Sequence, residues 1–150
     1  VDMIRNDLGR IAKIGNVKVP ELFTTEKYPT LWQMTSTVTA HTRASVTDIC
    51  KALFPCASIT GAPKRRAMEL IEELEPERRG FYAGSVGYFG HGGSMDQAIA
   101  IRTMVFHGDR YSFQAGAGIV ADSVPEAEYR EVLAKSAALR RSMELAREGL

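Results

Sequence analysis

The run from Ala98 to Phe106 restricts this chain most, because it is apolar or β-branched throughout except for Arg102. Turn signals stand on either side, Gly90-His91-Gly92-Gly93 before it and His107-Gly108-Asp109 after it. With Gly84 to Phe89 upstream and Tyr111 to Ala115 downstream, the pattern predicts an antiparallel meander of three strands. Helical spacing surrounds this block. Ser123-Val124-Pro125-Glu126 has the form of a capping box with proline in the first turn, and it opens a helix expected to run towards Arg147.

The first half is more broken. Apolar residues at 1, 4, 8, 11 and 12 predict a helix from Val1 to Ile14, stopped by Gly15-Asn16. Val17, Val19 and Leu22 suggest a short extended segment interrupted by Pro20, and the threonine-laden alternation from Leu31 to Ala40 predicts a strand. Thr47-Asp48 can cap a short helix through Phe54. The segment Cys56 to Ala62 is expected to be a loop, and Pro63 to begin a helix to Leu74 with Ala67, Leu70, Ile71 and Leu74 on its apolar face. Helices and strands in this order, without alternating βαβ units, indicate an α+β chain.

Composition narrows the function classes. Nineteen basic residues against 18 acidic ones leave the chain nearly neutral, unlike the one-sided basic footprint of a nucleic-acid binder. No apolar stretch approaches the roughly 18 residues of a membrane span, and no signal-peptide pattern is visible. Cys50 and Cys56 permit a disulfide but lack the spacing of a secreted framework, so two thiols and a cytoplasmic setting are expected. The chain opens on Val1-Asp2-Met3-Ile4 as though a helix were already under way, which suggests a piece of something longer.

Few side chains could carry chemistry. Glu128 and Glu131 are three apart, and Lys135 is four beyond Glu131, so all three project from one helical face. Two carboxylates so placed suit a hard cation such as Mg²⁺, or simply form a solvated face with a Glu-Lys pair. The nearby Gly116-Ala117-Gly118 offers backbone N–H groups to an anion. Arg102, inside an apolar run, needs a partner if buried and suits a carboxylate through its planar fork; alternatively it faces solvent or pairs with a structural acid. Ser58-Ile59-Thr60-Gly61-Ala62-Pro63-Lys64 leads into a helix N-terminus, which favours anions, although Thr60 or Ser58 could equally be a cap. His41, His91 and His107 have no metal-ligand spacing, and Lys64-Arg65-Arg66 has the look of an exposed helix face.

These strings together resemble the chorismate-binding enzyme family, which includes anthranilate, aminodeoxychorismate, isochorismate and salicylate synthases. The resemblance rests on Arg5-Asn6-Asp7-Leu8-Gly9-Arg10, Met34-Thr35-Ser36-Thr37-Val38, Ser58 through Glu69, and Arg78-Arg79-Gly80-Phe81-Tyr82-Ala83-Gly84. It continues through Ala98 to Thr103, Ala115 to Ser123 and Glu126 to Glu131, in order along nearly the whole chain. It implies that residues 1–150 are the C-terminal part of the family's α/β sandwich, an antiparallel sheet with packed helices, incomplete on its own.

The resemblance also implies roles. Glu128 would be a Mg²⁺ ligand and Glu131 a second metal-site carboxylate. Tyr82 and Arg102 would hold the enolpyruvyl carboxylate of chorismate, with backbone contacts from Gly116 and Gly118, a hydroxyl from Ser58, and Lys135 near the metal-site waters. Gln33 stands where anthranilate synthases carry histidine. This tilts the likeness towards the aminodeoxychorismate branch, which takes ammonia from a glutamine amidotransferase subunit for folate synthesis. Anthranilate formation and a non-catalytic chorismate-binding module are the alternatives. No catalytic nucleophile is expected here, since the family's lysine and its other metal-site glutamates lie upstream of the segment matching Val1. The isolated chain is therefore expected to be inactive and to expose an apolar surface through which it could form a homodimer.

Overall fold

The structure is a computed structural model that describes residues 1–149, and the chain divides into two units, Val1–Glu75 and Pro76–Leu150. Helices and antiparallel strands are mixed in both, as an α+β chain requires. Among the described residues no helix is long and apolar enough to cross a membrane, and both cysteines are free thiols.

The first unit opens with helix α1 (Asp2–Gly9), shorter than the apolar spacing suggests. The amides of Ile11 and Ala12 still reach Leu8 O, but Ile11 O accepts the Thr42 hydroxyl at 2.6 Å and the Lys13 amide reaches His41 O. Nonlocal bonds thus replace another helical turn. Strands β1 (Lys18–Lys27) and β2 (Trp32–Thr39) form an antiparallel hairpin. Pro20 does not stop β1, because it falls in a register shift between Lys18 and Glu21, where no ladder donor is demanded. A second shift places Phe23 at φ 56°, its amide bonded to Ser36 Oγ. The threonines of β2 find cross-strand carboxylates: Thr37 donates to Glu21 and Thr35 to Glu26, each at 2.9 Å.

Helix α2 (Val46–Leu53) is capped by Ser45 rather than by Thr47 or Asp48; Ser45 Oγ accepts from the Asp48 amide at 3.2 Å. The expected loop from Cys56 contains a short helix, α3 (Ala57–Thr60). Pro63 is the cap of α4 (Lys64–Leu74), which therefore begins one position later than expected. These helices meet at one buried charge. Asp7 is 1% exposed; its Oδ2 accepts from the Ala57 amide at 2.9 Å, and its Oδ1 lies 2.7 Å from the Lys64 ammonium. Lys64 in turn donates to Ala52 O at 3.1 Å. One carboxylate and one ammonium therefore join α1, α2, α3 and α4.

In the second unit the expected three-stranded meander is two separate hairpins. Strand β3 (Ser85–Phe89) pairs with β4 (Met95–Ile99), and β5 (Met104–His107) pairs with β6 (Arg110–Phe113). The apolar run breaks after Ile99 for a local reason. The Ile101 amide turns back to Ile99 O at 2.8 Å, and Arg102 takes φ 50°. A single uninterrupted strand cannot contain such a residue. Helix α5 (Pro125–Glu148) closes the unit with proline in its first turn. Its N-cap is Val124 with no side-chain cap, so the capping box expected at Ser123 and Glu126 is not formed.

Little is buried in either unit. The buried apolar residues are Ala52, Ala57, Ala83 and Ala100, whereas Trp32, Phe81, Phe106 and Ile119 are each more than two-thirds exposed. Two compact globules of about 8 kDa would together expose roughly 9,000 Å²; this chain exposes 11821 Å².

Candidate functional site

The second unit brings four of the expected site residues into one line. On α5, Glu128, Glu131 and Lys135 share a face. The Lys135 ammonium meets Glu131 Oε1 at 2.5 Å and donates to Gly116 O at 3.2 Å. It therefore ties the helix to the glycine loop. Gly116 also abuts Tyr82: a Cβ added at Gly116 would lie 2.8 Å from the Tyr82 hydroxyl oxygen. Any larger residue would require that hydroxyl to shift. Tyr82, Gly116, Lys135 and Glu131 form a continuous chain of contacts.

Glu128 lies beside this line and is half-buried. Its Oε1 accepts the Ser123 hydroxyl at 2.6 Å, and Ser123 Oγ also accepts from the Val120 amide at 3.0 Å. The serine anticipated as a helix cap instead holds a candidate ligand. That partner was not visible in the sequence, where the nearest signal is the five-residue separation of Ser123 and Glu128.

Arg102 is not the buried strand residue that the apolar run suggests. It is exposed, sits in the break between β4 and β5, and its guanidinium makes no ion pair or hydrogen bond among the described residues. Left-handed backbone in a long-chain residue is strained, and Ala83 shares that conformation at φ 62°. The two lie at one ladder end, since the Ala83 amide bonds Ala100 O and the Ala100 amide bonds Gly84 O. Gly118 is exposed, and a Cβ added there would meet open space.

Tyr82 stacks beneath a guanidinium, with Arg79 5.6 Å from its ring centroid. It also lines a cavity of about 460 Å³ together with Arg78, Thr103, Phe113 and Gln114. Ser58 belongs to the first unit: it is exposed on α3, its hydroxyl 3.0 Å from Cys56 Sγ.

The carboxylates fit a hard cation by their chemistry, being oxygen donors on one face. No group of three or more His, Cys, Asp or Glu side chains is arranged for a metal among the described residues. The remaining coordination positions would fall to water, substrate or groups outside these residues, which is ordinary for Mg²⁺.

Residues 1–141 match the family described as chorismate binding enzyme, across both units. The chain is 51% identical over 150 residues to anthranilate synthase component 1 of Aquifex aeolicus, covering 99% of this chain and 30% of that protein. It is 50% identical over 137 residues to aminodeoxychorismate synthase component 1 of Escherichia coli, covering 90% and 30%. Among solved structures, anthranilate synthase component I of Streptococcus pneumoniae superposes with a TM-score of 0.80 at 44% identity, over 89% of this chain and 31% of that one. The chain thus spans about 30% of the length of the curated relatives it matches. The family match, over nearly the whole chain, places it in the chorismate-binding enzyme family.

Proposed function

We propose that the chain is the substrate- and metal-holding part of an aminodeoxychorismate synthase component 1, which adds ammonia to chorismate with loss of water to give 4-amino-4-deoxychorismate. The observation that carries the reading is the line from Tyr82 through Gly116 and Lys135 to Glu131, with Glu128 beside it. It supplies an anion-holding end and a cation-holding end in one unit.

Glu128 and Glu131 would hold Mg²⁺, which when bound supplies positive charge against the ring carboxylate of chorismate. The other roles belong to the chain itself. The Tyr82 hydroxyl and the Arg102 guanidinium hold the enolpyruvyl carboxylate, and the Gly116 and Gly118 backbone lets it approach closely. Lys135 fixes Glu131 against the loop. Such anchoring lowers the barrier by orientation, since a held substrate presents its reacting carbon in one pose. The chain offers no nucleophile for the ring, and the ammonia would come from a glutamine amidotransferase partner.

The choice of branch is supported by Gln33. Exposed on β2 and paired across the hairpin with Glu26, it bears a neutral amide that neither gives nor takes a proton at working pH. Elimination of pyruvate needs proton transfer and addition alone does not need it from this position. The competing reading, anthranilate formation, is favoured by the anthranilate synthase relatives, which are as similar as the others.

Replacing the matching segment of the E. coli relative with this chain, then supplying chorismate, Mg²⁺ and ammonia, tests both. 4-Amino-4-deoxychorismate is the expected product; anthranilate would select the competing branch, and an inactive but folded chimera would remove the assignment. The 150-residue chain alone is expected to give no turnover.

A further inference from the structure

We infer that Ser123 is a positioning residue for the cation site: its hydroxyl fixes one oxygen of Glu128 so that the other is presented to the metal. The inference deepens the proposed function and rests on its assignment of Glu128. It stands on geometry within the second unit. Ser123 Oγ donates to Glu128 Oε1 at 2.6 Å and accepts from the Val120 amide at 3.0 Å, while the Ser123 amide returns to Val120 O at 3.0 Å. The serine is thus held on both sides by a turn, and its single proton is directed at the carboxylate.

That arrangement differs from helix capping. A capping serine accepts from a helix amide, whereas α5 has no side-chain cap and the hydroxyl proton goes to a side chain five residues on. Among the described residues the Glu128 carboxylate has no second hydrogen bond or ion pair, so Oε2 has no protein partner. A carboxylate bonded through one oxygen loses rotational freedom without losing its charge. Partners of this kind orient metal ligands, and their removal commonly weakens metal affinity by about 10- to 100-fold.

The adjacent carboxylate is held differently. Glu131 faces the Lys135 ammonium, which competes with a cation, whereas the neutral Ser123 hydroxyl leaves the charge of Glu128 intact. Of the two, Glu128 is therefore the primary ligand, and Ser123 governs how well it performs.

The test is titration of the 150-residue chain with Mn²⁺, free ion being counted by electron paramagnetic resonance and Mg²⁺ used as competitor. Four proteins are compared: unsubstituted, Ser123→Ala, Ser123→Thr and Glu128→Gln, each with its far-UV circular dichroism recorded. Glu128→Gln should abolish competable binding, Ser123→Ala should weaken it at least tenfold, and Ser123→Thr, which keeps a hydroxyl, should stay within about threefold. Loss with Glu128→Gln but none with Ser123→Ala overturns the role of Ser123 and leaves the metal assignment standing. Equal loss with alanine and threonine overturns the role of the hydroxyl. Unchanged binding with Glu128→Gln, or none by the unsubstituted chain, overturns the metal assignment and this inference with it.

Discussion

The Asp7–Lys64 pair is the point at which a single substitution should cost most. Asp7 has a side chain 2% exposed and Lys64 one 15% exposed, with 2.7 Å between the charged atoms. Asp7→Ala would leave the ammonium facing only the Ala52 carbonyl and would strip the Ala57 amide of its acceptor. Removing one partner of a buried pair typically costs roughly 3–5 kcal/mol, because the other charge stays desolvated. A 75-residue unit has a net stability of roughly 4–11 kcal/mol, so Asp7→Ala should bring the first unit to the edge of unfolding. Asp7→Asn keeps an acceptor for Ala57 and should cost less. Removing both charges in Asp7→Leu with Lys64→Met should cost less than the two single changes added together, by at least about 1 kcal/mol. Urea denaturation followed by circular dichroism measures the unsubstituted chain, Asp7→Ala, Asp7→Asn, Asp7→Leu, Lys64→Met and the double variant. Strict additivity, or a loss below about 1 kcal/mol for Asp7→Ala, would refute the view that these charges hold the four helices through each other.

Three further outcomes are expected. The Tyr28 hydroxyl donates to Glu26 at 2.8 Å, and this bond, with help from Thr35, holds the Glu26 carboxyl below its ordinary pKa while pushing the Tyr28 phenol up. The depressed acid contributes stability above its unfolded pKa that fades as pH falls through the folded one; the raised phenol contributes below its unfolded pKa and fades as pH rises through the folded one. The hairpin should therefore be steadiest between roughly pH 5 and 9, and Tyr28→Phe should flatten that profile in a melting series; an unchanged profile counts against the bond. Arg102→Gly should relieve left-handed strain and raise stability by about 1 kcal/mol while weakening chorismate binding at least tenfold by calorimetry; lower stability would show that the strain is imaginary. Finally, the apolar side chains left in water should make the chain self-associate at micromolar concentration. Sedimentation together with a blue shift of its one tryptophan, Trp32, which is 68% exposed, would show it, and a stable 16.5 kDa monomer would refute it.

Periodicity disclosed what depends on periodicity. The long helix occupies Pro125–Glu148, and the shared face of Glu128, Glu131 and Lys135 follows from it, because a helix fixes which neighbours align. The break at Arg102 was hidden, since Ala98 to Val105 has the composition of one strand and a positive φ leaves no mark in residue type unless glycine occupies it. The hidden partners share a cause. Asp7 meets Ala57 across 50 positions and Lys64 across a similar span, and such pairings are set by how helices pack. Even the short-range contact of Ser123 was masked by a stronger local pattern, the apparent capping box.

What packing there is in the second unit coincides with the proposed carboxylate end. Ala83 and Ala100 are its buried apolar residues and are bonded to each other through backbone. Tyr82 precedes one, and Arg102 follows the other by two positions, both leaving through left-handed turns at Ala83 and Arg102. Strained backbone persists only where its surroundings over-determine it, and here the surroundings are that one alanine pair. The proposed cation end depends instead on exposed helix and on side-chain bonds from Ser123 and Lys135. The two ends should therefore respond differently to change: the carboxylate end to the volume at Ala83 and Ala100, the cation end to the hydrogen bonds that aim Glu128 and Glu131. A site held to the tolerance that orientation demands needs both kinds of support, and of the two only the backbone ladder at Ala83 and Ala100 is already shielded from water within the unit.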